Sequence, residues 1–583
     1  MRFINNPMRW LAAASMIVLL LSACGGSDDA PPPQLRSTAY GQIEGVNDAA
    51  SSGTYFWKGI PFAKPPVGTL RWKAPVEPDA WTATLPTKSF GNACVQYGRI
   101  YGPGTNNTYY ATIGTTLNTA VGSEDCLTLN VWRPANDDGN LPVIYFIYGG
   151  SNVSGYTADP VYDGAALAKF ANAVVVTANY RVGLFGWLNL PQLKSGTDAN
   201  SDSGNFGTLD TIQTLKFINK NIANFGGDPG NVTVMGQSAG AINVYALLTS
   251  PLVVNASPKL FHKAVPISGG ISVATELPPG SIATLSPAST ALAQGNALLY
   301  NLLIADGKAA DNTTAAAYAA TQTSAQIADY MRSKTPATIF NILLTKLAAV
   351  GLSGSGPIPE GTVLPPDPVA SITAGNYLKV PVLASNTRDE AKLFSAFLAL
   401  APVLGGVPGL IVTDATRFSQ MMTYNPDAAP TLTVNDLINP QYLPVTAAGT
   451  GYNAKTDLLN SIFFIPSRNN VLNALLAQQP NVWYYQFNWA LEPAPWIDVY
   501  GAAHAFDLPF IFGNFGPSLF SNAVNSTANK PGRLELSNAM MSSIAAFAKN
   551  GDPNNAALGV TWPPWPKKLI FDATLTNKNI SVQ

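Results

Sequence analysis

The sequence predicts an α/β protein with a mostly parallel central sheet. Two continuous apolar runs, 143–148 and 173–178, are typical of strands that are buried on both faces. A stretch compatible with a helix, 209–225, separates the second run from a β-branched run at 232–235. Strands that alternate with helices are characteristic of parallel sheets, so these elements predict one mostly parallel sheet.

The other elements extend this pattern toward both ends of the chain. Residues 40–62 are typical of an N-terminal β-region, and 482–487 predicts a late strand. An Ala/Thr-rich stretch at 310–334 predicts helix, and 400–475 mixes proline turns with helical segments. The last predicted helix covers 534–549 and ends at an Asn-Gly pair, which is a helix-stop signal.

Composition limits the possible partners and cofactors. The 583 residues include 47% hydrophobic and only 11% charged residues, and the net charge is −1. Nothing in this balance attracts nucleic acid or an anionic membrane surface. The chain has two histidines, far apart, and no His-Glu-x-x-His motif. We therefore expect no zinc site and no cofactor.

The N-terminus predicts an export signal. A positively charged start precedes an apolar run at 10–21 that is too short to span a bilayer comfortably. Small residues then lead to Cys24 in a segment that resembles a bacterial lipobox; the alternative is an ordinary signal peptide with a chance cysteine. This interpretation makes 1–23 the signal peptide and 24–36 a tether, with one catalytic domain over 37–583. The protein would be an exported lipoprotein, anchored to the membrane and facing the periplasm or cell surface, or otherwise secreted.

The strongest chemical motif is the pentapeptide 236–240, Gly-Gln-Ser-Ala-Gly. It follows a β-branched run and precedes a helix-compatible run at 241–248, which is the context of a nucleophile elbow. Such a turn holds the hydroxyl of Ser238 at the top of a sheet. Because a serine hydroxyl is a poor nucleophile at neutral pH, it needs a base, and the base needs an acid that orients it.

Counting histidines selects the base. His262 lies at the start of an apolar strand and follows Ser238 too soon to leave room for an acid on a separate strand, because α/β-hydrolases order their triad as serine, acid, histidine. His504 lies in a loop of small residues late in the chain. His504 is therefore the predicted base.

The acid must lie between Ser238 and His504. A predicted strand at 380–386 ends just before Asp389 and Glu390, and the end of a strand is where α/β sheets place functional groups. Either carboxylate is able to orient an imidazole, so the residues themselves leave both candidates open.

Several segments together resemble the type-B carboxylesterases, the cholinesterase-like branch of the α/β-hydrolases. The resemblance extends from about residue 40 to 570, and the pairing of Glu-Asp-Cys-Leu-Thr-Leu-Asn at 124–130 with the elbow is its most specific part. Other matching segments are 59–63, 180–183, 204–210, 225–229 and 551–554. The resemblance implies an α/β-hydrolase fold, with helices on both faces of the sheet and helical insertions over the active site. It also implies a serine carboxylic ester hydrolase that uses a Ser-Glu-His triad and an acyl-enzyme intermediate on a small-molecule ester.

The resemblance also assigns individual residues. The family's acid is the glutamate of an Asp-Glu pair after a strand, which selects Glu390 over Asp389. Export favours a disulfide between Cys94 and Cys126 rather than two free thiols, and the family pairs the cysteine of this motif with an upstream one. Such a loop of roughly thirty residues corresponds to about 3–4 kcal/mol of stabilisation.

The expected oxyanion hole consists of three backbone amides. The residue after the nucleophile, Ala239, supplies one. The resemblance places the others at Gly150 and Ser151, in the loop after the strand at 143–148. The chain departs from the family here, with Ser151 in place of a third glycine and Asn152 in place of an aromatic residue. A further departure is Gln237, where the family commonly has glutamate.

Two alternatives remain beside the esterase prediction. Some relatives use the fold as non-catalytic binding proteins, but those typically lose a triad member, whereas this chain keeps all three. Within the hydrolase class the runner-up is a lipase.

Ser268 either supports the triad or is a structural serine at a strand end. The ester itself and the oligomeric state are not readable, although Trp489 and Trp496 are candidates to line the pocket.

Overall fold

The structure is a computed structural model that describes residues 33–105, 112–518 and 521–583. The predicted signal peptide, Cys24 and most of the predicted tether lie outside the described residues. Among the helices that are described, none combines the length and apolar character needed to cross a bilayer.

An eleven-stranded sheet forms the centre of the described structure. The strands of the protein are β1 (Leu35–Thr38), β2 (Gly41–Glu44), β3 (Val46–Asp48), β4 (Thr54–Pro61), β5 (Leu85–Pro86), β6 (Gln96–Tyr97), β7 (Ala120–Val121), β8 (Thr128–Pro134), β9 (Leu141–Ile147), β10 (Val174–Ala178), β11 (Gly227–Gln237), β12 (Lys263–Ile267), β13 (Val382–Thr387), β14 (Val482–Phe487), β15 (Leu569–Ala573) and β16 (Lys578–Val582). In the large sheet the order is β16-β15-β14-β13-β12-β11-β9-β10-β8-β4-β3. The stretch from β15 to β10 is parallel, and antiparallel strands complete both edges. The predicted mostly parallel sheet is confirmed.

Helices cover both faces of this sheet. They are α1 (Ile113–Thr116), α2 (Ala165–Ala171), α3 (Gly183–Gly186), α4 (Ala199–Asp202), α5 (Phe206–Asn221), α6 (Ala239–Thr249), α7 (Pro251–Val254), α8 (Ala288–Ala305), α9 (Asn312–Ala320), α10 (Ser324–Arg332), α11 (Pro336–Ile342), α12 (Pro368–Thr373), α13 (Asp414–Thr423), α14 (Tyr452–Gln478), α15 (Trp496–Val499), α16 (Leu508–Phe512) and α17 (Lys530–Asn550). Helix α6 packs on β11 and β12 together with α5 and α12, whereas α17 packs on β9, β11 and β15 together with α2 and α16.

The strands of the centre are buried because their sequences are mostly apolar. All five residues of β10 are buried, as are the last five residues of β9. Side chains alternate between the two faces of a strand, so such runs require a cover on each face. The helix groups around α6 and α17 supply those covers. The continuous apolar runs that predicted buried strands therefore have the environment that their composition requires.

A helical insertion between β12 and β13 has a core of its own. Helices α8 to α11 pack together, and their leucines and isoleucines form a second hydrophobic cluster with Trp72, Phe185 and Phe206. The predicted helix at 310–334 is two helices, because Thr321 and Thr323 end one and cap the next. The polar stretch at 97–122 contains α1 and β7.

Two ion pairs stabilise the segments that carry the family resemblance. Arg181 Nη2 lies 2.7 Å from Asp210 Oδ1, and both residues are buried. Arg71 Nη2 lies 2.5 Å from Glu124 Oε1. A buried ion pair stabilises a fold only when both partners are present, because removing one leaves an uncompensated charge. These pairs connect the loop after β10 to α5 and the segment at Arg71 to the segment before β8.

Candidate active site

Ser238 lies at a sharp turn between β11 and α6, as the elbow motif predicted. Its backbone has φ 60° and ψ −125°, a conformation that costs energy for a residue with a side chain. The flanking glycines make the turn possible. A Cβ at Gly240 would lie 2.1 Å from the carbonyl oxygen of Ile147, and one at Gly236 would lie 2.4 Å from the carbonyl oxygen of Gly240. The elbow therefore packs directly on the end of β9.

His504 contacts a carboxylate and an amide. Its ring is 2% exposed, and Nδ1 forms a very short hydrogen bond with Glu390 Oε2. Nε2 lies 3.0 Å from the side-chain nitrogen of Gln237. With the Nδ1 proton donated to Glu390, Nε2 is left as an acceptor and receives a hydrogen from the Gln237 amide. In the described part of the chain, the Ser238 hydroxyl has no hydrogen-bond partner.

The two adjacent carboxylates after β13 have different contacts. Glu390 contacts the imidazole and also accepts hydrogen bonds of 2.9 Å from the Asn386 side chain and from the Thr387 amide. Asp389 instead accepts a hydrogen bond of 2.9 Å from the Ala502 amide and pairs with its neighbour, Arg388. Of the two carboxylates that the sequence left open, Glu390 is the one in contact with the imidazole. Glu390 reaches the histidine, and Asp389 holds the loop that carries it.

The surroundings of Glu390 favour its ionised form. Burial alone would raise the pKa of this carboxyl, but the charge and hydrogen bond of His504 outweigh burial and lower the pKa. The buried Ser268 hydroxyl faces the same carboxylate, just outside hydrogen-bond geometry, and adds to the lowering of the pKa. An ionised Glu390 is the form that holds the imidazole with its proton on Nδ1.

The three predicted oxyanion donors border the space beside the serine. Gly150 has φ 113° and Ser151 has φ 56°, so the serine adopts the left-handed conformation that a glycine would adopt easily. The amides of both residues have no acceptor in the described ranges. The amide of Ala239 is at the first position of α6, where helix geometry provides no internal acceptor. Free amides at these positions are what an oxyanion hole requires.

Asn152 holds the loop that carries these amides. Its side-chain oxygen accepts a hydrogen bond of 3.0 Å from the Asn243 amide group, on α6. Its carbonyl accepts one of 2.7 Å from the amide of Gly183. Asn152 therefore ties this loop to α6 and to the segment at Gly183 through polar contacts. The sequence showed the departure from the family but gave no sign of the partner on α6.

Gln96 and the predicted disulfide hold the far end of the same loop. The bond between Cys94 and Cys126 is present and closes a separation of 32 residues. Gln96, two residues after Cys94, accepts a hydrogen bond of 2.8 Å from the Gly155 amide and donates one of 3.0 Å to the Gly155 carbonyl. The sequence analysis did not identify Gln96. Its position beside the cysteine was the available signal.

A first cavity, of about 370 Å³, opens above the imidazole. Ser238, Gln237 and His504 line its base, and Arg99 and Arg417 line its wall. We call it the arginine cavity. Its other charged lining residue is a single aspartate, and its remaining wall is a mixture of tyrosine, leucine, phenylalanine and small residues.

A second cavity, of about 270 Å³, opens on the other side of the serine. Four phenylalanines and two isoleucines form most of its wall, and no charged residue lines it. We call it the phenylalanine cavity. Phe394 and Phe464 also pack on the imidazole, with ring centres 4.9 and 5.4 Å from that of His504. The apolar wall therefore shields the histidine from water on this side.

Two sequence expectations about side chains have clear outcomes. His262 does not lie in the site. It lies beside β11, and its Nδ1 accepts a hydrogen bond of 3.2 Å from the Val232 amide. Burial and the nearby Lys263 lower its pKa, as expected of a structural histidine. The expectation that Trp489 and Trp496 line the pocket is wrong. Both indoles are buried in the main core and border neither cavity, because the loop after β14 turns them inward.

Within 33–105, 112–518 and 521–583, no group of three or more histidine, cysteine or acidic side chains is arranged to hold a metal ion. The site itself brings together the serine hydroxyl, the imidazole, the Glu390 carboxylate and the backbone amides. This combination is suited to acyl transfer through a serine nucleophile.

The parallel sheet and the strand–elbow–helix unit define an α/β-hydrolase. The sequence matches the profile of the Carboxylesterase family over residues 32–580, so the chain belongs to that family and is an enzyme of the carboxylesterase class. It is 31% identical to the para-nitrobenzyl esterase of Bacillus subtilis, over 94% of this chain and 96% of that protein. It is also 31% identical to acetylcholinesterase 1 of Caenorhabditis elegans, over 88% of this chain and 78% of that protein.

Solved structures give the same result. The carboxylesterase of Geobacillus stearothermophilus superimposes with a TM-score of 0.67 at 27% identity, and the match covers 94% of this chain and 98% of that one. A PNB esterase superimposes with a TM-score of 0.68 at 28% identity, over 95% and 97% of the two chains. The likeness therefore extends over almost the whole chain rather than over the elbow alone.

Proposed function

We propose that this protein hydrolyses carboxylic esters with Ser238 as nucleophile, His504 as general base and acid, and Glu390 as the group that orients the imidazole. The observation that carries the proposal is the Glu390–His504 contact beside the elbow. The three residues follow β11, β13 and β14, whose carboxyl ends meet at one edge of the sheet.

The first half of the reaction acylates the enzyme. His504 Nε2 takes the hydroxyl proton as Ser238 Oγ attacks the ester carbonyl, and the carbonyl oxygen becomes an oxyanion. The amides of Gly150, Ser151 and Ala239 stabilise that oxyanion, and each such donor typically contributes about 10²–10³ in rate. The tetrahedral intermediate then releases the alcohol, which takes its proton from the imidazolium.

The second half restores the enzyme. Water loses a proton to His504 and attacks the acyl carbonyl, the same amides stabilise the second oxyanion, and the acid departs as the proton returns to Ser238 Oγ. Glu390 stays ionised in both halves and stabilises the imidazolium, which agrees with its lowered pKa. For Ser238 to reach Nε2, the Gln237 amide has to release its contact there.

The test compares the full chain with two variants on p-nitrophenyl butyrate. Ser238→Ala and His504→Ala should each lower kcat by about 10⁵–10⁶-fold, as expected when a triad member is lost. Variants that keep their fold, shown by an unchanged thermal midpoint, and also keep the wild-type rate would overturn the assignment. A wild-type chain that hydrolyses no ester would instead favour the alternative of a non-catalytic binding protein.

We propose in addition that residues 37–583 are one catalytic domain that a lipid on Cys24 holds at the membrane after export. The lipobox-like sequence before Cys24 supports this proposal. In cells, Cys24→Ala should move the protein from the membrane fraction to the soluble fraction. Unchanged fractionation would reject the lipid anchor and leave the catalytic proposal intact.

A further inference from the structure

We propose that the preferred esters have an apolar acyl group and an alcohol that carries a carboxylate. This inference rests on the proposed function, because it assigns the two cavities to the two halves of an ester that Ser238 attacks. It depends on which cavity the histidine borders and on where the charges lie.

The position of the histidine assigns the alcohol. The departing alkoxide takes its proton from His504 Nε2, so the alcohol has to lie on the side of the imidazole. His504 and Gln237 line the arginine cavity, and neither lines the phenylalanine cavity. The alcohol therefore occupies the arginine cavity, and the acyl group extends to the other side of Ser238.

The charges of the arginine cavity favour an anion. Arg417 is only 8% exposed, and its Nη2 donates a hydrogen bond of 2.7 Å to Asp414 Oδ1. Its Nε–H is buried and has no acceptor in the parts of the chain that are described. Arg99 forms no ion pair with any described residue. Two arginines and one aspartate thus line the cavity, and an unpaired donor on a buried cation favours the binding of a second carboxylate.

The phenylalanine cavity has no charged residues that would favour an anion. Its wall combines Phe394, Phe397, Phe463 and Phe464 with isoleucines, small residues and hydroxyls, and it contains no charged side chain. A carboxylate placed there would lose its hydration and gain no counter-ion, which is costly. An apolar acyl chain gains free energy from the same desolvation.

The experiment uses three esters of closely matched shape on the full chain. They are 3-(butyryloxy)benzoate, with an anionic alcohol part; 3-(butyryloxy)benzamide, its neutral counterpart; and the succinate half-ester of 3-hydroxybenzamide, with an anionic acyl part. We expect kcat/KM for the first to exceed that of the second by about tenfold, since a hydrogen bond to a charged group is worth that factor or more. The third should be slower than the second by about tenfold or more.

Two variants and a control locate the source of the preference. Arg99→Gln and Arg417→Gln should each reduce the ratio of the first ester to the second toward one. Arg36→Gln, which removes a half-buried arginine on β1 that lines neither cavity, should leave the ratio unchanged. Because Arg417 is buried and its variant is at risk of misfolding, Arg99→Gln and the salt dependence of the wild-type ratio serve as independent readouts. The ratio should fall as salt screens the more exposed charge.

A wild-type ratio near one overturns the inference, and so does a ratio that survives both arginine substitutions. Faster hydrolysis of the succinate half-ester than of the neutral butyrate would reverse the assignment of the cavities and also overturn it. The proposed function fails by a separate result, namely retained hydrolysis of all esters in Ser238→Ala. The two failures are therefore distinguishable.

Discussion

The arginine cavity and the phenylalanine cavity meet at the same serine but are built in different ways. The polar groups at the base of the arginine cavity come from loops at the carboxyl ends of the parallel strands: Gln237 and Ser238 from β11, and His504 from the connection after β14. The phenylalanine cavity takes Phe463 and Phe464 from α14, in a helical region outside the sheet.

This difference assigns the proposed chemistry to residues at the ends of the strands and the proposed choice of substrate to the cavity walls. The sheet positions the groups that we propose to move protons, because parallel strands bring their carboxyl ends together. The helical segments supply much of the cavity walls. The walls nevertheless affect the chemistry, because Phe394 packs on the imidazole and helps to exclude water from the His504–Glu390 pair.

After the losses expected for Ser238→Ala and His504→Ala, the largest effect is expected at Glu390, the carboxylate that contacts His504. Glu390→Gln should lower kcat/KM for p-nitrophenyl butyrate by about 10³–10⁴-fold, because a neutral amide stabilises neither the imidazolium nor the required tautomer. Asp389→Asn is the matched control. Its carboxylate holds the Ala502 amide and does not reach the imidazole, so the loss should stay within about tenfold. A larger loss for Asp389→Asn than for Glu390→Gln would contradict the assignment.

Two substitutions, one in each cavity, test the separate roles of the two cavities. Ala283 lines only the phenylalanine cavity, and Ala396 lines only the arginine cavity. Ala283→Phe should reduce kcat/KM for hexanoate esters by about tenfold relative to acetate esters, because the added ring takes the space of the acyl chain. Ala396→Phe should change the preference among alcohols instead. The measurement is a matrix of acyl and alcohol lengths, and an identical pattern for both variants would show that the cavities do not divide the ester.

A smaller effect is expected at Gln237, the amide beside His504 Nε2. Gln237→Glu places a carboxylate there, which stabilises the imidazolium, so a higher pH is needed to free the base. The rising limb of the plot of kcat/KM against pH should move upward by about one pH unit. Gln237→Leu is the uncharged control and should leave the limb in place. A limb that does not move in the glutamate variant would show that the contact has no influence on the base.

The smallest effect is expected at Asp507 and concerns stability rather than catalysis, because this residue is buried and lines neither cavity. Burial and the charge of Glu390 raise its pKa to about 7. Because the folded state holds this proton more tightly than the unfolded state, Asp507 lowers stability progressively as pH rises from about 4 to about 7. Asp507→Asn removes that loss. Its thermal midpoint should match the wild type near pH 4 and exceed it above pH 7, and a gap that narrows as pH rises would refute the account.

The sequence predicted the strands and the residues at their carboxyl ends much better than the residues that line the cavities. The runs inside β9, β10 and β11 are apolar or β-branched, and only Gln486 interrupts β14, so their local pattern identifies them. The serine and histidine followed from a motif and a count. The choice of Glu390 over Asp389 needed the resemblance, because both carboxylates occur at the same strand end and only the turn into the following helix decides which one reaches the imidazole.

The residues that line the two cavities could not be predicted from the sequence, and the reason is physical. The direction of a side chain depends on helices packed far apart in sequence, so nothing local distinguishes Phe464 in the cavity from Trp496 in the core. Arg417 is a similar case, since its helix is apolar on one face and its burial follows from packing near Tyr101 and Tyr500. The contact between Gln237 and His504 joins residues 267 positions apart.

The most direct test of the central claim is covalent labelling of the nucleophile. Diethyl p-nitrophenyl phosphate reacts with an activated serine by transferring its phosphoryl group and releasing p-nitrophenol. We expect one diethylphosphoryl group per chain, located by peptide mass mapping on Ser238, with activity lost in proportion to labelling. Wild-type protein that loses activity while Ser238 stays unmodified, or a Ser238→Ala variant that is labelled equally fast and to the same extent, would contradict the claim that this serine performs the reaction.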